Sequence, residues 1–143
     1  MPLEDDRIRT KHVSDPPHPS DGRRHLVERE WPEKVAREAA KIDSVLDRLA
    51  PSPTLKAWHE RELEKFEEFS LKFRMELIGA DQELDKLIDE AEHGPVTLVH
   101  AGEKTAKSHA HVLADVLRER FAAKRSGARR SGEPEPGSSP RAP

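Results

Sequence analysis

Most of the apolar residues of this chain lie between Val35 and Phe121, with charged, proline-broken sequence on either side. A chain divided in this way can build one core, and only in its middle. Across all 143 residues, hydrophobic side chains make up 34% and charged ones 37%. The two ends therefore have too little surface to bury to offset the entropy lost on ordering. Residues 1–30 contain the run Asp15-Pro16-Pro17-His18-Pro19-Ser20-Asp21-Gly22 and are expected to form a disordered arm. Residues 126–143, with Pro134, Pro136, Pro140 and Pro143, are expected to form a disordered tail.

Within the middle, the spacing of Val35, Ala39, Ile42, Leu46 and Leu49 predicts a helix from Pro32 to Ala50 with one narrow apolar stripe. Pro51 ends it. Ser52, followed by Pro53, is a helix-starting pair for a second helix carrying Leu55, Trp58, Leu63, Phe66 and Phe69. The short link predicts a helical hairpin over 31–69. Ser70 to Leu77 then alternates polar and apolar residues, which predicts a half-buried strand. Phe66, Phe69, Phe73 and Leu77 also fit one helix face, so a helix is the alternative. A helix over 82–93 follows, with Asp81 as its cap and Leu84, Leu87, Ile88 and Ala91 as its buried face. Gly94 is expected in the left-handed conformation at its end. Val96 to Val99 reads as a strand, and 104–124 as a last helix lined by Ala106, Ala110, Leu113, Leu117 and Phe121. The expected class is α+β and predominantly helical, with the hairpin followed by a strand-helix-strand-helix unit over 70–125. Two strands make a marginal sheet, so a homo-oligomer joining two such sheets is expected.

The chemistry-bearing residues point away from catalysis. The sequence has no cysteine, which excludes disulfides, thiolate metal sites and cysteine nucleophiles. It has neither a phosphate-cradling glycine loop nor a serine nucleophile elbow. His93, His100 and His109 could share a metal only if the fold brought them together, and no metal or cofactor is expected. The acidic run Glu60, Glu62, Glu64, Glu67 and Glu68 reads as a solvated helix face. No apolar run is long enough to span a membrane, and the acidic start is unlike a secretory signal, so a cytoplasmic location is expected.

Charge divides along the chain. Residues 32–93 carry 10 Lys/Arg against 16 Asp/Glu, whereas residues 94–143 carry 9 against 5. The basic end concentrates Arg118, Arg120, Lys124, Arg125, Arg129 and Arg130, a cluster suited to neutralising phosphates, and DNA is an expected partner. The stripe Val35, Ala39, Ile42, Leu46 and Leu49 is the expected surface for dimerisation or a protein partner.

Leu84, Leu87, Ile88, Ala91, Gly94, Val96, Leu98 and Gly102 stand in an order that resembles the core of the Phd/YefM antitoxins. That resemblance, which covers residues 75–102, implies a dimeric DNA-binding repressor that also binds a toxin-like protein. The expected function is thus a small non-enzymatic regulator, antitoxin-like and nucleic-acid-binding. The alternative is a helical interaction module that binds no nucleic acid.

Overall fold

A computed structural model describes residues 7–32, 35, 37–101 and 108–130. Its centre is a sheet of four strands, β1 (Ile8–His12), β2 (Arg23–Leu26), β3 (Ser44–Val45) and β4 (Val96–His100), in the order β1-β4-β2-β3. Every pairing is parallel. Strand β4 is last in sequence yet lies between β1 and β2, with Ile8 and Arg23 both in register with Val96. All five of its residues are buried, which suits the unbroken apolar run of a parallel strand covered on both faces.

Among the described residues five α-helices accompany the sheet: α1 (Arg37–Ala40), α2 (Pro53–Arg61), α3 (Phe66–Glu76), α4 (Asp81–His93) and α5 (His109–Arg130). The core joins Phe69 and Phe73 of α3, Leu84, Leu87 and Ile88 of α4, and Leu113, Leu117 and Phe121 of α5 to Ile8, Val96 and Leu98 of the sheet. Each such side chain stabilises the fold by about 1.5–3 kcal/mol through burial. Polar ties fix the layers in register. His25 of β2 donates Nε2–H to Glu90 of α4 (2.7 Å) and bonds Ser44 of β3 (2.5 Å). Ser52 caps α2 by accepting the Leu55 N–H (3.2 Å), while the Glu76 carboxylate at the end of α3 accepts both the N–H and the hydroxyl of Ser52.

The fold is α/β rather than the expected helix-dominated α+β arrangement, and the differences have physical causes. The arm expected over 1–30 contributes β1 and β2; residues 1–6 lie outside the described residues. These strands are short and rich in charge, and in register their partner β4 is 88 residues from β1 and 73 from β2, so no local pattern announces them. Their charges are met within the protein: Asp21 takes Arg24 at 2.7 Å and Lys11 at 3.1 Å.

The helix expected over 32–50 is also replaced. Lys41 turns the chain with φ of 51°. The Asp43 carboxylate then accepts the Arg24 N–H at 2.8 Å, and β3 adds to the sheet edge. A 3-10 turn, Asp47–Leu49, completes the stretch. The hairpin over 31–69 is therefore absent, and α2 packs instead on α3, to which the 3-10 turn Leu63–Lys65 joins it.

Residues 70–77, expected as a strand, belong to α3 and the turn that ends it. Their alternation is two helical stripes interleaved. Phe69, Phe73 and Leu77 enter the core, whereas Leu71 and Met75 face outward. Helix α4 and strand β4 lie where the spacing puts them, although Asp81 is the first helical residue and Ala80 the cap. Gly94 is extended, with φ of 169°, not left-handed. Helix α5 continues through residues 126–130 of the expected tail; residues 131–143 lie outside the described residues.

One glycine is essential to the β1–β2 crossover. Gly22 has φ of 65°, and a Cβ there would overlap the carbonyl oxygen of Pro95, just before β4. That oxygen accepts the Arg23 N–H at 3.1 Å. Gly22→Ala combines a left-handed backbone penalty with a backbone overlap, and an expected loss of about 2–3 kcal/mol follows. Urea unfolding measures it; a loss below about 0.5 kcal/mol would mean that the crossover can relax.

Candidate binding cleft

In open parallel sheets, ligands sit beyond the carboxyl ends of the strands. Here that edge is formed by His12 of β1, His100 of β4, the Val27-Glu28 extension of β2, and the first turn of α5 with Ser108, His109 and His111. Burial and topology together gather four imidazoles. The His100 ring lies edge-on to His12 (centroids 5.2 Å apart), His111 (5.7 Å) and His109 (6.2 Å). Of the three histidines considered for a metal, His100 and His109 do meet. His93 lies elsewhere, bonded to the Asp89 carbonyl. Among the described residues, no group of three or more histidines and carboxylates is arranged to hold a metal ion.

These groups are largely committed to one another. His109 directs its Nε2–H between the Val27 carbonyl (2.7 Å) and Glu28 Oε2 (3.3 Å). Glu28 Oε2 also accepts the Ala101 N–H at 2.9 Å, and Oε1 faces Lys56 at 3.3 Å. His111 bonds Thr10 (3.1 Å) and Ser108 (2.7 Å). Burial by itself would raise the Glu28 pKa. The bond and charge of His109, the Ala101 N–H and the Lys56 charge together outweigh it and bring the carboxyl down to about 2. Burial lowers His100 to about 4, helped by the neighbouring His109, His111 and His12. Burial also lowers His111. His100 Nδ1 is buried with no hydrogen-bond partner among the described residues.

Beside Glu28 opens a cleft of about 640 Å³. One wall is the segment Glu28–Pro32 that leaves β2. The other is the face of α2 that carries Pro53, Lys56, Ala57 and Glu60, at helical spacings of three, four and seven. Arg29 is held against the wall by donating to the carbonyls of Pro51 (3.2 Å) and Ala50 (3.1 Å). The Trp31 indole donates to the Val35 carbonyl at 2.7 Å, which fixes its ring. Lys56 is engaged by Glu28. Glu30 and Glu60 line the same space, and neither has a hydrogen bond or an ion pair among the described residues.

Part of the basic cluster lies along the molecule's own acidic helix, α4. Arg118 donates to the Ile8 carbonyl (2.7 Å) and pairs with Asp115. Arg120 reaches Asp81 (2.6 Å) and Asp85 (3.4 Å), while Lys124 reaches Asp89 (3.0 Å) and Glu92 (3.2 Å). The acidic middle and basic end of the sequence thus meet along α4 and α5. Arg125, Arg129 and Arg130 continue α5, and their side chains lie outside those described. The stripe expected for dimerisation is dispersed. Leu49 is in the core and Leu46 packs on it, Ala39 is exposed, and Val35 and Ile42 are half-buried.

Glu28, Trp31 and His12 escaped notice in the sequence because they fall in the segment read as a disordered arm or at its edge. The only local sign was the pair Leu26-Val27 preceding Glu28, too short to stand out.

Comparison with known proteins overturns the antitoxin resemblance. The family model that matches, over residues 7–141, is described as the inactive DUF488-N3 subclade. Similar curated proteins include the uncharacterized protein YeaO of Escherichia coli, 35% identical over 111 residues, covering 78% of this chain and 96% of that one. The uncharacterized proteins Mb3100c of Mycobacterium bovis and Rv3073c of Mycobacterium tuberculosis are each 34% identical over 117 residues, covering 80% of this chain and 97% of theirs. Nothing in these matches is a Phd/YefM protein; the eight shared positions reflect a helix-glycine-strand unit common to many folds. No solved structure matches the chain significantly.

Proposed function

We propose that this chain, which belongs to the DUF488-N3i family, is a non-enzymatic binding protein whose cleft takes a ligand with a cationic head and an apolar body. The observation that carries this reading is the state of the charges around the cleft. Among the described residues, both cations that line it are engaged, Arg29 by two carbonyls and Lys56 by Glu28. The two remaining carboxylates, Glu30 and Glu60, are unpartnered among the described residues. A ligand ammonium or guanidinium would complete them, and the Trp31 side chain lines the same space. Pro32, Pro51, Pro53 and Ala57 supply apolar contact for the rest of the ligand. The volume lies in the range of small-molecule sites.

The non-enzymatic part of the reading rests on the edge residues. General acid–base catalysis favours groups that titrate near the working pH. Glu28 and His100, with pKa values of about 2 and 4, are far from neutrality. The description of the family as inactive agrees with this. Among the described residues no helix is long and apolar enough to cross a membrane, and with a cysteine-free sequence we assign the protein to the cytoplasm.

Fluorescence provides the test, because the sequence has two tryptophans. With Trp58→Phe in place, Trp31 reports alone. Phenethylamine is expected to change its emission with a Kd on the order of 0.1–1 mM, and Glu30→Gln combined with Glu60→Gln to weaken binding about tenfold. Phenylacetate, the same ring with the opposite charge, is expected not to bind. An equal response to both compounds, or none to either, would overturn the reading.

A further inference from the structure

At the amino edge of the sheet, the end opposite the Glu30–Glu60 cleft, a second cleft of about 500 Å³ opens. Lys86, Asp89, Glu90 and His93 of α4 form one wall, at helical spacings of three, four and seven. Gly22 and Arg23, where the chain enters β2, form the other. Gly94 and Pro95, between α4 and β4, complete it.

The charges of this cleft divide into those that are engaged and those that are not. The Asp89 carboxylate takes Lys124 at 3.0 Å, and the Glu90 carboxylate accepts the His25 Nε2–H at 2.7 Å. The carboxyl end of α4 is the negative pole of that helix and would by itself repel an anion. Three carbonyls in its last turns are occupied, however. The Asp89 carbonyl accepts His93 Nδ1–H at 2.8 Å and the Glu90 carbonyl accepts the Gly94 N–H at 3.1 Å. The Ala91 carbonyl accepts the Arg7 guanidinium at 2.6 Å, which adds a cation at that pole. Arg23 and Lys86 are exposed, and neither side chain has a hydrogen bond or an ion pair among the described residues.

Gly94 points the same way. Its φ of 169° is extended and open to any residue, and a Cβ there meets no atom within 4 Å beyond its chain neighbours. Neither backbone conformation nor packing among the described residues calls for glycine at this position. Close approach of a ligand to the main chain does.

We infer that this cleft binds a small phosphate monoester, with the phosphate between Arg23 and Lys86 and the organic group over Gly94 and Pro95. A carboxylate has only the pair of oxygens that a single guanidinium fork satisfies. A phosphate monoester adds a further acceptor oxygen and carries close to two negative charges near neutral pH, which suits the Arg23 fork and the Lys86 ammonium together. The volume lies in the range of small-molecule sites. The cleft shares no lining residue with the one that holds Glu30 and Glu60, and it does not rest on the function proposed for that one.

Amide chemical shifts of the full-length, isotope-labelled chain, followed during titration with phenyl phosphate at pH 7.5, test the site. The Gly22 and Gly94 amides are expected to move together with a Kd on the order of 0.1–1 mM, while the Trp31 amide stays in place. Benzoate, a similar ring with a singly charged head, is expected to bind about tenfold more weakly. Arg23→Gln combined with Lys86→Gln is expected to weaken phenyl phosphate by about tenfold or more. Gly94→Leu is expected to abolish binding by filling the cleft, with the melting temperature unchanged. Should it unfold the chain instead, the double charge variant, which alters only exposed side chains, still decides. Any of four results overturns the inference: no response at Gly22 and Gly94, shifts confined to the basic stretch after Lys124, equal affinity for benzoate, or binding that survives loss of both cations.

Discussion

Glu28→Ala is expected to lower stability by about 3–5 kcal/mol, the largest effect of any single substitution considered for this protein. Glu28 is 4% exposed, and its carboxylate is the meeting point of three elements. It receives the Ala101 N–H at the end of β4, faces His109 of α5, and pairs with Lys56 of α2. Truncation removes the acceptor of a half-buried main-chain N–H. It also leaves His109 with only the Val27 carbonyl. Glu28→Gln keeps the shape but loses the charge, and its new NH2 group would face the Lys56 ammonium; about 1–2 kcal/mol is expected. Urea unfolding at pH 7 distinguishes the two variants. Glu28→Ala and His109→Ala should also be non-additive, since each removes the same contact. A loss under about 1 kcal/mol for Glu28→Ala, or strict additivity with His109→Ala, would show that the carboxylate is not the joint described.

The importance of Glu28 also explains why so little of this site was legible. Sequence periodicity reports elements that fold against the core with a long, regular face. The start of α2 at Ser52-Pro53, the Leu84-Leu87-Ile88-Ala91 face of α4, the β-branched run of β4 and the Leu113-Leu117-Phe121 face of α5 are of that kind. Strands β1 and β2 are not. Each lies against β4 by backbone bonding across a long sequence separation, and each carries basic residues. Arg24 is buried in β2 only because Asp21 and the Ala40 carbonyl receive it. A buried arginine in a proline-flanked segment carries no apolar signal, so the arm looked unstructured. Everything that β1 and β2 bring to the carboxyl edge, from His12 to Glu28 and Trp31, was hidden with them.

Two other sequence features were visible but had a different meaning. The polar–apolar alternation of residues 70–77 marks a helix with apolar residues on both sides, one side buried and the other exposed. The charge division between the acidic middle and the basic end is likewise internal. Arg120 and Lys124 of α5 lie along Asp81, Asp85, Asp89 and Glu92 of α4. Surface pairs of this type add little stability each, but a pairing of whole helix faces sets the register of α5 on α4. A cluster that reads as phosphate-binding in one dimension has, for these residues, its counter-charges within the same molecule.

Acidification is expected to destabilise the protein in two successive windows, and the histidine cluster sets the first. In the folded chain, burial and the neighbouring imidazoles hold His100 at about 4, against an ordinary value of 6.5. Between those values the unfolded chain carries a proton that the folded chain refuses, so stability falls as the pH drops from 6.5 towards 4. Glu28, at about 2 against 4.5, acts in the same direction lower down: its stabilisation is complete above 4.5 and is lost as the pH falls towards 2. Asp21 is also held below its ordinary 3.8; burial opposes this, and the bonds from Lys11, the His18 N–H and Arg24 outweigh it, which reinforces the second window. Each of the two larger shifts corresponds to up to roughly 3 kcal/mol. Urea unfolding at pH 7, 5 and 3 measures the sequence of losses. His100→Phe separates the windows, because an uncharged ring there removes the His100 part of the first, leaves the part that buried His111 contributes, and leaves the second whole. Since His100 Nδ1 has no partner to lose among the described residues, this variant is expected to match or exceed the parent at pH 7 and to exceed it clearly at pH 5. Stability that stays level from pH 7 to pH 4.5 in the parent, or that falls equally in His100→Phe, would mean that the imidazole cluster accepts protons as freely folded as unfolded.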